Sequence, residues 1–243
     1  MQIYGQKVQY IKSKLLSQYD DSIYHGITIR GADFMHKDIN SPIFLTSKGK
    51  MSEEFNISSD NLYFLNQVHD KNILEITENT VNKISDFDAL ITTLPAKMLM
   101  TCFADCVPIL MFDTKNKVIA SIHSGWKGTV KQIAKNIVEY MKEKYNSNQK
   151  DIIAVIGPSI GPCCFEVKED VRKQFSEVFG HSVIEDNKVN LWISNKIQLL
   201  NCGLKEENIE CMNLCTCCNN DKFYSYRKGD VEQGRFSAFI MLK

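Results

Sequence analysis

Apolar residues along this chain gather into short runs separated by polar turns. Residues 22–29, 62–67, 73–76, 89–93, 98–101, 107–113, 118–122, 151–156, 208–214 and 235–242 read as β-strands, several of them β-branched or aromatic runs bounded by turn residues. Val130, Ile133, Ala134, Ile137, Val138 and Met141 recur at helical spacing instead, which predicts a helix beginning just after Gly128. Thr129 and Gln132 have the spacing of a capping box that would fix its start. Further helices are predicted over roughly residues 168–179, with Val171, Phe175, Val178 and Phe179 inward, and over about 191–202, with Gly203 as the C-terminal cap. This mixture of strands, hairpins and helices predicts an α/β sandwich rather than a purely parallel sheet. No Gly/Ser/Pro-rich linker, repeat or low-complexity tract divides the chain, so one domain over residues 1–243 is expected.

One hairpin leads to chemistry. Thr114-Lys115-Asn116-Lys117 is a polar turn between two apolar strands. Centred between Lys115 and Asn116, the hairpin sets Pro108 opposite His123 and brings Cys106, two positions further out, to the same open end. A thiolate and an imidazole within reach form either a metal site or a nucleophile–base pair. His69, which follows the strand 62–67 in Asn-Gln-Val-His-Asp, is the expected third arm of a His/Cys/His site. Zn²⁺ accepts both donor types, and a catalytic zinc keeps three protein ligands with a position open for water. Asp105 and Asp88 stand near the same end, either to orient an imidazole and move protons or to bind local backbone.

Ser124-Gly125-Trp126-Lys127-Gly128 joins the His123 strand to the best helix. Its glycines permit tight backbone, and the N–H groups of a helix start, helped by Lys127, make a ready anion site. Trp126 either stacks on a flat ring or anchors the core. The Gly/Pro-punctuated turn 156–162 either lines a pocket or serves only as a turn. Arg30, Arg227 and Arg235 are candidate partners for an anion or a ring. Cys211, Cys215, Cys217 and Cys218 lack the paired, separated arms of a zinc knuckle, and are expected as free thiols, one of them lining a pocket.

Composition narrows the partners. Lys+Arg and Asp+Glu number 29 each, so no global field recruits nucleic acid or an anionic membrane. Neither is expected as a partner; a small-molecule substrate is. The first residues are amphipathic and broken by charges, unlike a secretory signal, and no stretch approaches the ~18 apolar residues of a membrane span. Nine cysteines without an export signal point to free thiols in a reducing cytosol, so a cytoplasmic location is expected. Five histidines, with no His-x-His, are too few for a multicopper centre, and His25, His36 and His181 are scattered. Copper is not expected.

QVH at 67–69, ADCVPIL at 104–110, HSGWKGT at 123–129, IGPSIGPCCFEV at 156–167, CT at 215–216, YSYR at 224–227 and GRF at 234–236 occur in that order. Together they resemble the YfiH-like family, long labelled multicopper polyphenol oxidoreductases or laccase-like proteins. The resemblance runs from about residue 22 to the C-terminus, leaving 1–21 as an N-terminal extension. It implies a three-layer α/β sandwich, mixed β-sheet flanked by helices, similar to the catalytic domain of the cytotoxic-necrotizing-factor deamidases. It implies one catalytic Zn²⁺ on His69, Cys106 and His123. It also implies purine nucleoside chemistry: phosphorolysis of adenosine, inosine or methylthioadenosine, and hydrolytic deamination of adenosine. Arg30 matches the arginine of the family's N-terminal HGF-S/T-R stretch, here HGITIR. Phosphate would then sit among Arg30, the turn Ser124–Gly128 and Arg227, while Asp105 or a nearby acid moves protons in deamination.

The N-terminal third departs from the family pattern. Gly31-Ala32-Asp33 replaces the usual Gly-Gly after that arginine, and residues 44–50 (FLTSKGK) stand where Asn-Leu-Gly and Asn-Arg elements are usual, which points to an altered substrate-facing loop. Two other readings compete. Some members resemble peptidoglycan-precursor editing factors, for which Cys106 would be the nucleophile and His123 the base. A zinc-stabilised interaction domain without catalysis is the other.

Overall fold

The computed structural model describes residues 1–34, 41–80, 86–229 and 234–243. His36 lies outside them. Two mixed β-sheets carry the fold. The five-stranded sheet runs in the order β1 (Tyr10–Ile11), β2 (Ile23–Thr28), β13 (Phe236–Leu242), β6 (Met98–Phe103) and β3 (Leu62–Tyr63). The six-stranded sheet runs β12 (Ile209–Cys211), β9 (Ile152–Ile156), β7 (Val107–Asp113), β8 (Val118–Ser124), β5 (Ala89–Thr92) and β4 (Ile73–Glu75). A small ribbon, β10 (Ile184–Glu185) with β11 (Lys188–Val189), stands apart. The helices are α1 (Pro42–Phe55), α2 (Trp126–Val130), α3 (Ile133–Tyr145), α4 (Glu169–Phe179) and α5 (Leu191–Asn201).

Alternation along the strands explains the layering. Leu110, Phe112 and Ile119 face Ile27, Leu99 and Ile240 across the space between the two sheets. The opposite faces of β7, β8 and β9, with Ile109, Met111, Ala120 and Ala154, pack on Ile133, Ile137, Val138 and Met141 of α3 and on α4 and α5. The outer face of the five-stranded sheet, with Met98, Met100 and Phe239, packs on Phe44, Met51 and Phe55 of α1. Both sheets thus bury two faces, which is why their strands read as continuous apolar runs rather than as half-polar ones. The expected mixed α/β sandwich is present, its β layer doubled and its helices on the two outer faces.

The hairpin register is as expected. Pro108 stands opposite His123, and Leu110 opposite Ser121. Other elements differ. The strand read over 62–67 pairs only at Leu62 and Tyr63; Gln67 then clasps β6 through its side chain, donating to the Cys102 carbonyl and accepting from the Cys102 N–H, both at 2.7 Å. The helix expected after Gly128 begins earlier, at Trp126, and breaks before Ile133, where Gln132 takes the left-handed φ of 60° as the N-cap of α3. Thr129 is therefore no cap: its hydroxyl bonds the Gly125 carbonyl at 3.0 Å inside α2. Residues 44–50 form no loop but belong to α1, whose inner face covers the five-stranded sheet.

Candidate metal centre and active site

The open end of the β7–β8 hairpin carries the chemistry. His123 sits in β8, and Cys106 immediately precedes β7. His69 comes from the segment after β3, held with a left-handed φ of 61°. His69 Nε2 lies 3.8 Å from Cys106 Sγ, and the two imidazole rings meet edge to face with centroids 4.8 Å apart. One donor atom from each of the three residues lies within 4.8 Å of the others. Imidazole and thiolate donors gathered this closely form a group able to hold a metal ion.

Asp88 organises the group. Its buried carboxylate accepts from His123 Nδ1 at 2.8 Å, from the His69 N–H at 3.0 Å and from the Asp70 N–H at 2.7 Å. Its carbonyl accepts from the His123 N–H at 2.7 Å. With Nδ1 committed to Asp88, His123 is left Nε2 for a metal. Gly125 completes the cradle. A Cβ there would stand 2.9 Å from His69 Cδ2 and 3.2 Å from Cys106 Sγ, so only glycine lets the three donors converge.

Local charges favour the ligand form of the thiol. Burial pushes the Cys106 thiol up, but the His123 imidazole and hydrogen bonds from both rings outweigh it and bring it down to about 6. Burial pushes His123 down, yet Cys106 and Asp88 carry it up to about 9. A thiolate is the form that both binds metals and attacks carbon.

These residues open into a cavity of about 570 Å³. Trp126, Phe165 and Tyr226 give it aromatic walls, Arg227 and Arg235 give it cationic groups, and Asn66 and Gln67 give it amides. Asp105 lines it too, but both carboxylate oxygens are engaged, one by the Thr216 hydroxyl at 2.6 Å and one by the Arg227 N–H at 2.7 Å. That pins two distant loops to the cavity wall. Arg30 is placed elsewhere: its guanidinium donates to the Asn220 and Phe223 carbonyls and stacks on Tyr224, 4.4 Å from the ring centroid. The Ser124 hydroxyl is buried against Asn195 and Thr129, Gly128 is buried, and Lys127 is exposed with its ammonium near the Trp126 ring. Of the turn 124–128, Gly125 and Trp126 face the site. Phe165 and Tyr226 lie within the family-like motifs 156–167 and 224–227 and Asn66 lies near His69, but none stands out in the sequence as a site residue, because each reaches the cavity from a loop placed by long-range contacts.

The second cysteine cluster is also rearranged. Cys215 and Cys218 meet Cys163 and Cys164. Cys211 bonds Asn213, and Cys217 packs on the core beneath the helices.

Fold and site together define a mixed α/β double-sheet protein with a His/Cys group at the floor of an aromatic and cationic pocket. YfiH of Bacillus licheniformis shares the fold with a TM-score of 0.87 at 26% identity, over 97% of this chain and 96% of that one. YlmD of Geobacillus stearothermophilus shares it with a TM-score of 0.88 over 100% and 98%. The chain belongs to the multi-copper polyphenol oxidoreductase laccase family, whose model matches residues 45–243. Curated relatives include a protein of Clostridium acetobutylicum, 31% identical over 96% of this chain and 97% of that one. Another, from Bacteroides thetaiotaomicron, is 34% identical over 72% and 71%. A third, YlmD of Bacillus subtilis, is 32% identical over 79% and 75%. All three bear the name purine nucleoside phosphorylase. Among the described residues, no helix is long and apolar enough to cross a membrane.

Proposed function

We propose that this chain is a zinc-dependent purine nucleoside enzyme of the cytosol, which cleaves adenosine, inosine or methylthioadenosine with phosphate and also deaminates adenosine. The observation that carries the reading is the convergence of His69, Cys106 and His123 on one point of an aromatic and cationic cavity. The names of the curated relatives supply the substrate class.

The donor set fits zinc. Tetrahedral ligands at ~2.0 Å for nitrogen and ~2.3 Å for sulfur stand about 3.5 Å apart, near the 3.8 Å between His69 Nε2 and Cys106 Sγ. Five histidines in the whole chain do not furnish the imidazoles that several copper ions demand, so the family's copper label does not transfer. When bound, zinc supplies Lewis acidity at the cavity floor.

The chain's own residues do the rest. Trp126, Phe165 and Tyr226 hold the flat purine and exclude water. Arg227 and Arg235 neutralise and aim phosphate, whose oxygen bonds to C1′ as the bond from C1′ to the purine nitrogen breaks, giving ribose 1-phosphate and free base. Asp88 fixes His123 in one tautomer and holds the His69 loop. Asp105, with both oxygens occupied, positions the loops that carry Arg227 rather than transferring a proton.

The test is release of base from adenosine and inosine, followed by chromatography with and without phosphate. Phosphate-dependent release that Cys106→Ala abolishes is the expected result. No base from the wild type, or an unchanged yield from Cys106→Ala, overturns the reading.

A further inference from the structure

Two loops behind the cavity wall carry four cysteines to a single point. Cys163 and Cys164 follow the turn after β9, and Cys215 and Cys218 follow β12. One Sγ from each lies within 4.8 Å of all the others. Cys218 Sγ stands 3.6 Å from Cys163 Sγ and 3.5 Å from Cys164 Sγ. A tetrahedral ion with metal–sulfur bonds of ~2.3 Å holds its sulfurs about 3.8 Å apart. A disulfide requires ~2.05 Å, so these sulfurs stand at the spacing of co-ligands and not of a bonded pair. Gathered this closely, they leave room for one ion and not for an iron–sulfur cluster, whose thiolates surround an inorganic core.

Three further features point the same way. The donor set is wholly thiolate, which selects soft and borderline cations over hard ones. The Gly161 N–H donates to Cys215 Sγ at 3.2 Å, the kind of backbone bond that steadies a metal thiolate. The two loops are already docked by main chain, Ser159 N–H to the Leu214 carbonyl at 3.1 Å and Thr216 N–H to the Ser159 carbonyl at 3.0 Å. Their arrangement does not wait for an ion.

We propose that Cys163, Cys164, Cys215 and Cys218 form a second metal site, a tetrathiolate for one zinc-class ion, separate from the His69/Cys106/His123 group. Four protein ligands close the coordination sphere, so the ion is structural and leaves no position for substrate. Binding releases the thiol protons. The ion braces the wall of the cavity: Arg227 Nη1 donates to the Cys164 carbonyl at 2.7 Å, and Thr216, within the Cys215–Cys218 segment, bonds Asp105 at 2.6 Å. Cys163 and Cys218 are exposed, which gives the ion a route in.

The experiment is elemental analysis of protein purified in reductant, loaded with zinc and freed of excess. Two zinc ions per wild-type chain are expected, one in Cys215→Ser/Cys218→Ser, and one in His69→Ala/Cys106→Ala. Should the serine variant fail to fold, the alanine variant still decides. Loaded with cobalt(II), it should show the intense thiolate-to-metal charge-transfer and tetrahedral ligand-field bands of four sulfurs. One zinc in the wild type that His69→Ala/Cys106→Ala lacks, or a metal-free alanine variant without those bands, overturns the proposal and leaves the active-site reading untouched.

Discussion

Asp88 Oδ1 accepts from His123 Nδ1 at 2.8 Å, with Asp88 fully buried and His123 nearly so. The same carboxylate receives two backbone N–H groups of the His69 loop. One side chain therefore sets both the tautomer of one candidate ligand and the position of another. Asp88→Asn keeps the shape but not the charge or the acceptor pair. Metal affinity is expected to fall by about 10- to 100-fold, as for other partners of metal-bound histidine. Competition with a chromophoric chelator measures it; wild-type affinity would contradict the role assigned to Asp88.

Gly125 has an ordinary φ of −64°, so alanine there meets no backbone strain. Its Cβ meets His69 Cδ2 at 2.9 Å and Cys106 Sγ at 3.2 Å. Crowding of this kind costs ~1–3 kcal/mol, which corresponds to roughly ten- to hundred-fold in metal binding. Gly125→Ala should therefore lose affinity and turnover together, with a modest fall in the melting temperature. Retained affinity would show that the donors do not converge beneath Gly125.

Arg227 holds the Cys164 and Glu166 carbonyls through its guanidinium and faces the cavity. Lysine preserves the charge but not the planar fork. Arg227→Lys is expected to raise the KM for phosphate by roughly tenfold or more, with zinc content unchanged. An unaltered phosphate KM would remove Arg227 from the phosphate site.

The site was legible in the sequence to unequal depth. The Pro108–His123 register followed from turn arithmetic, because two apolar strands joined by four polar residues leave little choice of alignment. His69 lay in a segment whose course is set by Asp88 and by the Gln67 clasp on Cys102, contacts spanning 19 and 35 positions along the chain. Periodicity carries no trace of these, and family resemblance strengthened what spacing left weak. Helix α1 leaves no clean helical period in the sequence because its apolar residues divide between faces, Phe44 and Met51 buried, Ile43 and Leu45 exposed. The cysteines near the C-terminus looked unsuited to metal because their partners, Cys163 and Cys164, arrive from another loop.

His25, buried in β2, offers a pH signature apart from the site. Burial holds its imidazole down to about 4 from the ordinary 6.5, although Asp20 draws it upward. Between those values the unfolded chain binds the proton and the folded chain resists it. The stability carried by neutral His25 is complete above pH 6.5 and is lost as pH falls toward 4. At ~1.4 kcal/mol per pKa unit this amounts to roughly 3 kcal/mol. Urea midpoints taken across that window should fall more steeply for the wild type than for His25→Gln. Parallel curves would mean that His25 titrates alike in both states.

Phosphorolysis by metal-stripped and zinc-restored wild type tests the central claim most directly. Ribose 1-phosphate and free purine should disappear when the His69/Cys106/His123 ion is removed by chelator, with the fold largely intact by circular dichroism, and return when zinc is restored. Full turnover in protein shown by elemental analysis to be metal-free, or no phosphate-dependent product in any state, would contradict a zinc-dependent purine nucleoside site.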